Sequence, residues 1–416
     1  MSILRSGALS AIATAARLIS GLVIIKLVAL FAGPEGVGKF GQFMSLTALL
    51  AVLGSGGITT GVAKYVAEYR TDPDKLSRLL GASAHYVLVA ACLVSALTFI
   101  LSAPLSLWLF DDIRYRNLVW ALAAAQPAIA AGNYIIAVLN GLMDVSRVAT
   151  AYVVASSLAV ILTGTLAYSF RLHGAILALV LGQAAVLMIS LPLIRRSPHF
   201  DASILKRPFE RVMTSHLAAY STMTLSSALL SPLVSIGIRN YLAGRFSWEE
   251  VGYWQAVGKI SEAYLAFFTG WVGVYYLPRL SAIGNRKAFV VELRKAYTHV
   301  LPMAAAIATM IYILRYTITT LVFGEQFAAA SSLYGPQLLG DVLKVGSQLL
   351  AYIMMAKAMK GAFITSEIFF SASYAVLVYF FTDWFGLVGS MYAFAINYAL
   401  YLVFSVVLAR IYILRM

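Results

Sequence analysis

Apolar runs of about twenty residues recur along nearly the whole chain, and nothing else in the sequence restricts the fold as strongly. Twenty helical residues rise ~30 Å, the thickness of a bilayer's hydrocarbon core. Lipid offers the backbone no hydrogen-bond partner, so only helices and closed barrels can span it. The runs are about twice the length of a barrel strand and do not alternate, which selects helices. Charge usage agrees: 12% of residues are Asp, Glu, Lys or Arg, where soluble domains carry about 25%. The expected fold is therefore an all-α polytopic membrane protein.

Twelve spans are predicted, at 9–31, 38–62, 80–102, 117–139, 149–169, 174–194, 214–238, 252–278, 298–321, 335–356, 363–383 and 387–409. All connections are short, which leaves no room for a soluble catalytic domain. The first run is too long for a signal-peptide core and has no cleavage pattern, so no cleaved leader is expected. The single cysteine, Cys92, excludes an internal disulfide and any cysteine metal cluster. The histidines are scattered near span ends and make no metal spacing. No cofactor and no metal are expected.

The net charge of +14 would suggest nucleic acid in a soluble protein. Here the basic residues read as topology markers, and no nucleic-acid partner is expected. One set of loops with both termini carries 20 Lys and Arg, against 7 on the other side, namely Lys39, Arg114, Arg116, Arg171, Arg239, Arg245 and Arg315. That excess places both termini in the cytoplasm.

Two short surface helices are expected after spans 2 and 8. Asp72-Pro73 offers a cap and a first-turn proline before DKLSRLL, and Asn285 offers a cap before RKAFVVELRKAY. A second correspondence joins FAGPEGVGKFGQF to YLAGRFSWEEVGYWQ, each entering the next span through Val-Gly. The implied period is about 214 residues, half the chain. The predicted organisation is a six-helix bundle over 1–196, a basic linker over 197–213 and a second six-helix bundle over 214–416, around a central cavity.

Four bases remain inside spans: Arg17, Lys26, Lys259 and Lys344. Two acids accompany them, Glu262 and Asp341, each three residues from a lysine. Charges near the bilayer centre cost ~2.5–3.5 kcal/mol each, and an i,i+3 pair returns only ~0.2–0.5 kcal/mol. Pairing alone does not justify them, so a wet cavity or a charged ligand is expected. The net charge of the set is +2, which suits an anion rich in phosphate oxygens. Arg17 and Lys26 are nine residues apart, on opposite faces of a straight helix, unless Gly21 lets the helix bend. Glu262 or Asp341 could couple transport to an ion gradient. Glu367 reads as interfacial, and Asp111-Asp112 as a solvated turn. Gln126, Asn133, Asn140, Asn397 and the hydroxyls of span 7 are either helix–helix contacts or the wall of a polar chamber.

WEEVGYWQAVGKISEAYLAFFTGWVGVYYLPRLS, QLLGDVLKVGSQLLAYIMMAKA, YVAEYRTDPDKLSRLLGASA and IIKLVALFAGPEGVGKFG resemble the corresponding segments of Wzx-type flippases, within the multidrug/oligosaccharidyl-lipid/polysaccharide exporter superfamily. The resemblance runs over essentially the whole chain. It implies two six-helix bundles and transfer of an undecaprenyl-diphosphate-linked oligosaccharide across the bacterial inner membrane by alternating access. The cargo would be the enterobacterial common antigen unit or an O-antigen unit, passed on to polysaccharide polymerase and chain-length machinery. Lys26, Glu262, Asp341 and Lys344 fall on charged positions of that pattern, whereas Lys259 stands where the pattern has a small polar residue. Arg17, Lys26, Lys259 and Lys344 are the expected diphosphate and sugar ligands. Two other classes stay open. A cation antiporter would need an acidic cavity, and a membrane glycosyl- or acyltransferase would need a catalytic acid or base on a loop. No Walker A motif and no such loop residue is present.

Overall fold

The computed structural model describes residues 3–197, 221, 225 and 228–415. The first half contains α1 (Ile3–Gly54), α2 (Thr59–Tyr69), α3 (Pro73–Ile100), α4 (Ser102–Phe110), α5 (Arg116–Gly141) and α6 (Val145–Arg195). The second contains α7 (Leu230–Arg245), α8 (Trp248–Trp271), α9 (Leu277–Ala282), α10 (Arg286–Ile313), α11 (Arg315–Phe323), α12 (Tyr334–Ala356), α13 (Lys360–Phe385) and α14 (Val388–Arg415). One π turn, Val272–Tyr276, joins α8 to α9.

Eight helices among the described residues are long and apolar enough to cross a membrane. Two of these are double. Helix α1 is broken at Gly33 and α6 at Arg171, both at positive φ, so each supplies two spans. The α8–α9 segment is the charged eighth span, and α7 contains the end of the seventh. Twelve spans result. The basic linker expected at 197–213 lies, apart from Ser197, outside the described residues, as does most of the start of span 7.

The half-chain repeat is visible in the element boundaries. Helices α3 and α4 run 73–100 and 102–110, and α10 and α11 run 286–313 and 315–323, the same limits displaced by 213. Asp72 accepts a hydrogen bond from the Lys75 amide at 3.1 Å, and Asn285 one from the Lys287 amide at 2.8 Å. These are the two expected caps. The expected separate surface helices do not exist, however. The helix after Asp72 runs on to Ile100, and the helix after Asn285 runs on to Ile313 through Pro302, so each surface stretch is the first turns of its span.

A second pair of equivalent sites lies at the reversal between the last two spans of each half. Arg171 has φ 51, ψ −129, and Gly386, 215 positions later, has φ 62, ψ −151. Glycine adopts this backbone freely, whereas an L side chain is strained there by about 1–3 kcal/mol. Arg171 is exposed, so its side chain does little to offset the strain. Arg171→Gly is expected to stabilise the chain by about 1 kcal/mol, after allowing for glycine's larger unfolded-state entropy. Thermal unfolding in detergent reads this, and an unchanged or lower midpoint would contradict it.

Packing divides the chain into two compact units, residues 1–32 with 39–236, and residues 33–38 with 237–416. The first is built on Ile58, Val62 and Val66 of α2 against Leu76 and Leu79 of α3 and Val138 of α5. The second is built on Phe268, Tyr276, Phe289, Leu349 and Ile353. Its small insert Gly33–Gly38 comes from the other end of the sequence. There the two Val-Gly dipeptides of the repeat meet backbone to backbone. A Cβ on Gly38 would lie 2.7 Å from the Trp248 carbonyl, and a Cβ on Gly252 would overlap the carbonyl of Pro34.

Candidate functional site

In the first unit the polar site grows from a break in a span. The sequence predicts one helix over 38–62, but α1 stops at Gly54 and α2 starts at Thr59. Gly56 and Gly57 between them take φ of 59° and 69°, which any side chain would resist. Irregular backbone at membrane depth survives only where protein or water satisfies it. Here Ser221 donates its hydroxyl to the Gly56 carbonyl and in turn lies 3.2 Å from the Tyr86 hydroxyl.

The break opens on a cavity of about 520 Å³. Ser55, Thr59, Thr60, Asn133, Asn140 and Tyr152 give it polar walls, and no lining residue is acidic. Arg17 stands beside it, with its guanidinium carbon 4.8 Å from the centre of the Tyr152 ring. No carboxylate among the described residues pairs with Arg17. Lys26 does not join it. Helix α1 shows no break in its dihedrals at Gly21, only at Gly33, so the two side chains stay on opposite faces.

Sequence reasoning favours helix–helix hydrogen bonds for Asn133 and Asn140, but the structure puts both on the cavity wall. Their spacing of seven was the available signal, since it returns to one helix face. Gln126 has a packing role instead: it is buried and donates to the Leu50 carbonyl at 2.5 Å. Asn397 is buried as well.

The second unit holds a different arrangement. Lys259 pairs with Glu262 one turn on, at 2.5 Å, with Lys259 mostly covered and Glu262 exposed. Asp341 is fully buried. Its carboxylate accepts from Tyr264 at 2.9 Å and from Gln337 at 3.0 Å. Lys344 places its ammonium 5.4 Å from the ring centre of Tyr398 and 5.8 Å from that of Phe394. Asp341, Glu262 and, from α13, Glu367 lie within its electrostatic reach.

Arg239 is the residue that sequence reasoning misplaced. It counted as an outer-loop cation, but it is buried in α7, with 6% exposure. Its Nε and Nη2 donate to Gln255 at 3.1 and 2.7 Å, and Trp254 lies under the guanidinium at 5.3 Å. Lys39 was misplaced in the same way; it is buried in α1, 5.4 Å from the Tyr115 ring centre. Apolar neighbours in the sequence did not reveal either, because the covering surfaces come from other helices. Arg239, Lys259 and Lys344 thus face Glu262, Asp341 and Glu367, and the formal charges of this set balance. The expected excess of +2 does not gather in one place: the uncompensated guanidinium is Arg17, in the first unit.

Outside the spans, the Asp111-Asp112 turn is as expected. Asp111 closes α4 in the left-handed region, and Arg114 ion-pairs with Asp112 at 2.7 Å. The Arg114 hydrogen bonds hold the Asp112 carboxyl below its usual range. Among the described residues no group of His, Cys, Asp and Glu is placed to hold a metal ion.

The sequence pattern of the polysaccharide biosynthesis protein family matches residues 3–284. Lipid III flippase of Escherichia coli (strain K12) is 35% identical over 320 residues, covering 76% of this chain and 76% of that protein. The same figures hold for lipid III flippase of Shigella flexneri. Among solved structures, the inward-facing conformation of a multidrug resistance MATE family transporter of the MOP superfamily aligns with TM-score 0.80 at 16% identity, over 95% of this chain and 94% of the other. A MOP superfamily transporter from Pyrococcus furiosus, described as having a binding pocket of reverse polarity, aligns with TM-score 0.64 at 16% identity, over 99% of this chain and 95% of the other. Both structural likenesses show the fold alone.

Proposed function

The chain belongs to the polysaccharide biosynthesis protein family, and on that premise we propose that it is a flippase for an undecaprenyl-diphosphate-linked oligosaccharide. It works in the bacterial inner membrane and moves the cargo from the cytoplasmic to the periplasmic leaflet. No bond is made or broken in this reading, so the protein is a transporter and not an enzyme. Both termini lie in the cytoplasm. With Lys39 and Arg239 buried, the outer side loses two of its counted cations, which strengthens the charge asymmetry behind that orientation.

One observation carries the reading: a cavity inside an apolar bundle, lined by hydroxyls and amides among Ala, Val and Ile side chains, with Arg17 at its edge. Hydroxyls and carboxamides suit sugar hydroxyls, and a guanidinium suits a diphosphate. The alternative within the superfamily, export of cationic drugs, calls for carboxylates facing the ligand. This cavity has none among its lining residues.

The test is reconstitution in liposomes with a fluorescent prenyl-diphosphate-linked oligosaccharide, followed by an impermeant sugar-binding probe. The cargo is expected to change sides only with the protein present. Replacing both Asn133 and Asn140 with Ala should slow transfer about tenfold, two neutral hydrogen bonds at ~0.5–1 kcal/mol each. Transfer at the wild-type rate would remove this cavity from the pathway.

A further inference from the structure

Each unit also carries an apolar slot that the transport reading does not use. In the first, α3, α5 and the end of α6 enclose about 260 Å³. In the second, α10, α12 and the end of α14 border an open groove of about 360 Å³. These helices are spans 3, 4 and 6, and spans 9, 10 and 12, the matching members of the two halves.

The match extends to single residues. Leu80 and Ala84 line the first slot, and Leu293 and Tyr297, each 213 positions later, line the second. On the last span the shift is 215: Leu187, Leu191 and Ile194 answer to Leu402, Val406 and Ala409. Ile135 answers to Leu350 at the same shift. The residue after Ile194 and the residue after Ala409 are exposed arginines, Arg195 and Arg410, again 215 apart, and Arg410 itself lines its slot with Ile413 beyond it.

The walls are apolar because the tyrosine hydroxyls are used elsewhere. Tyr134, on the first slot, donates to the Leu80 carbonyl at 3.0 Å. Tyr297, on the second, donates to the Gly346 carbonyl at 2.5 Å. Both bonds tie a third span to a fourth and leave the ring toward the slot. An apolar slot in a membrane has no hydrophobic preference for any one chain, since lipid is equally apolar. What selects an occupant is its shape and the charge at its mouth. An exposed arginine at the end of a span, one residue beyond Ile194 in the first slot and on the wall itself in the second, matches an anionic glycerophospholipid: phosphate on arginine, acyl chain between the helices.

We infer that each unit binds one anionic phospholipid, its acyl chain in the slot and its phosphate on Arg195 in the first unit and Arg410 in the second. The occupant is a membrane phospholipid and not the transported lipid. The slots come as a pair, one in each half, whereas each cargo molecule brings a single prenyl tail. This inference concerns binding and stands apart from the transport reading.

Native mass spectrometry of the full chain with phosphatidylglycerol tests it directly. Two bound molecules per chain are expected, and far fewer with phosphatidylcholine. R195Q and R410Q should each lose one molecule, and the double variant both. Ala84→Phe, which fills the first slot with its arginine intact, should also lose one. Retention of two phosphatidylglycerols by the double variant would overturn the proposal. So would equal retention of phosphatidylcholine, or recovery of a prenyl diphosphate in place of phospholipid. Flipping by a chain that holds no phospholipid would leave the transport reading intact and remove this one.

Discussion

Gly252→Ala is expected to destabilise the chain by about 3 kcal/mol, the upper end of the usual range for overpacking. The added methyl would enter the space of the Pro34 carbonyl, which is backbone and cannot rotate away. Its neighbours hold it there. Gly38 sits 2.7 Å, measured from an added Cβ, from the Trp248 carbonyl on the facing strand of chain, so neither segment can retreat without moving the other. Relief would require the insert 33–38 to lift off the start of α8, where Ser247 caps the helix by accepting from the Glu250 amide at 3.2 Å. Gly258→Ala is the matched control. It lies on the same helix with nothing within 4 Å of an added Cβ. There alanine should gain up to ~1 kcal/mol from helix propensity. Thermal unfolding of the two variants side by side separates steric overlap from propensity, and equal midpoints would defeat the argument.

The second large effect is on transport. Arg17→Ala should reduce flipping roughly 10- to 150-fold, the value of a charge-assisted hydrogen bond of about 1.5–3 kcal/mol. Its guanidinium rests on the Tyr152 ring, and the charge has no carboxylate partner among the described residues. Removing it therefore orphans no buried acid, and folding should survive. Arg17→Lys keeps the charge but loses the planar fork, so partial recovery is expected. Lys344 should matter less, because three acids already lie within its electrostatic reach. Folded Arg17→Ala protein that flips at the wild-type rate would move the phosphate contact elsewhere.

Several features were legible in the sequence because each depends on neighbours along the chain. The caps at Asp72 and Asn285 are examples: a cap acts on amides two or three residues away. The Lys259–Glu262 pair is another, fixed by its spacing on one helix. The repeat was legible as well, since both halves spell their turns alike. By contrast, the break at Gly56-Gly57 reads as two small residues in an apolar run until Ser221, 165 positions on, is seen holding the freed carbonyl. Asp341 looked like the partner of Lys344, one turn away, yet its hydrogen bonds come from Tyr264 on a different helix and from Gln337.

The sequence by itself determined that this chain crosses the membrane as helices in two related halves. Lipid cannot solvate a backbone, and that constraint acts locally, residue by residue. It also determined that charge is buried in the spans. Which charges are compensated was decided only by tertiary structure. Arg239 became a core residue, Lys344 acquired Glu262 and Glu367 from other helices, and Arg17 was left beside a partly polar hollow. A side chain's solvation depends on the surfaces that other helices bring to it, and those surfaces are distant in the chain.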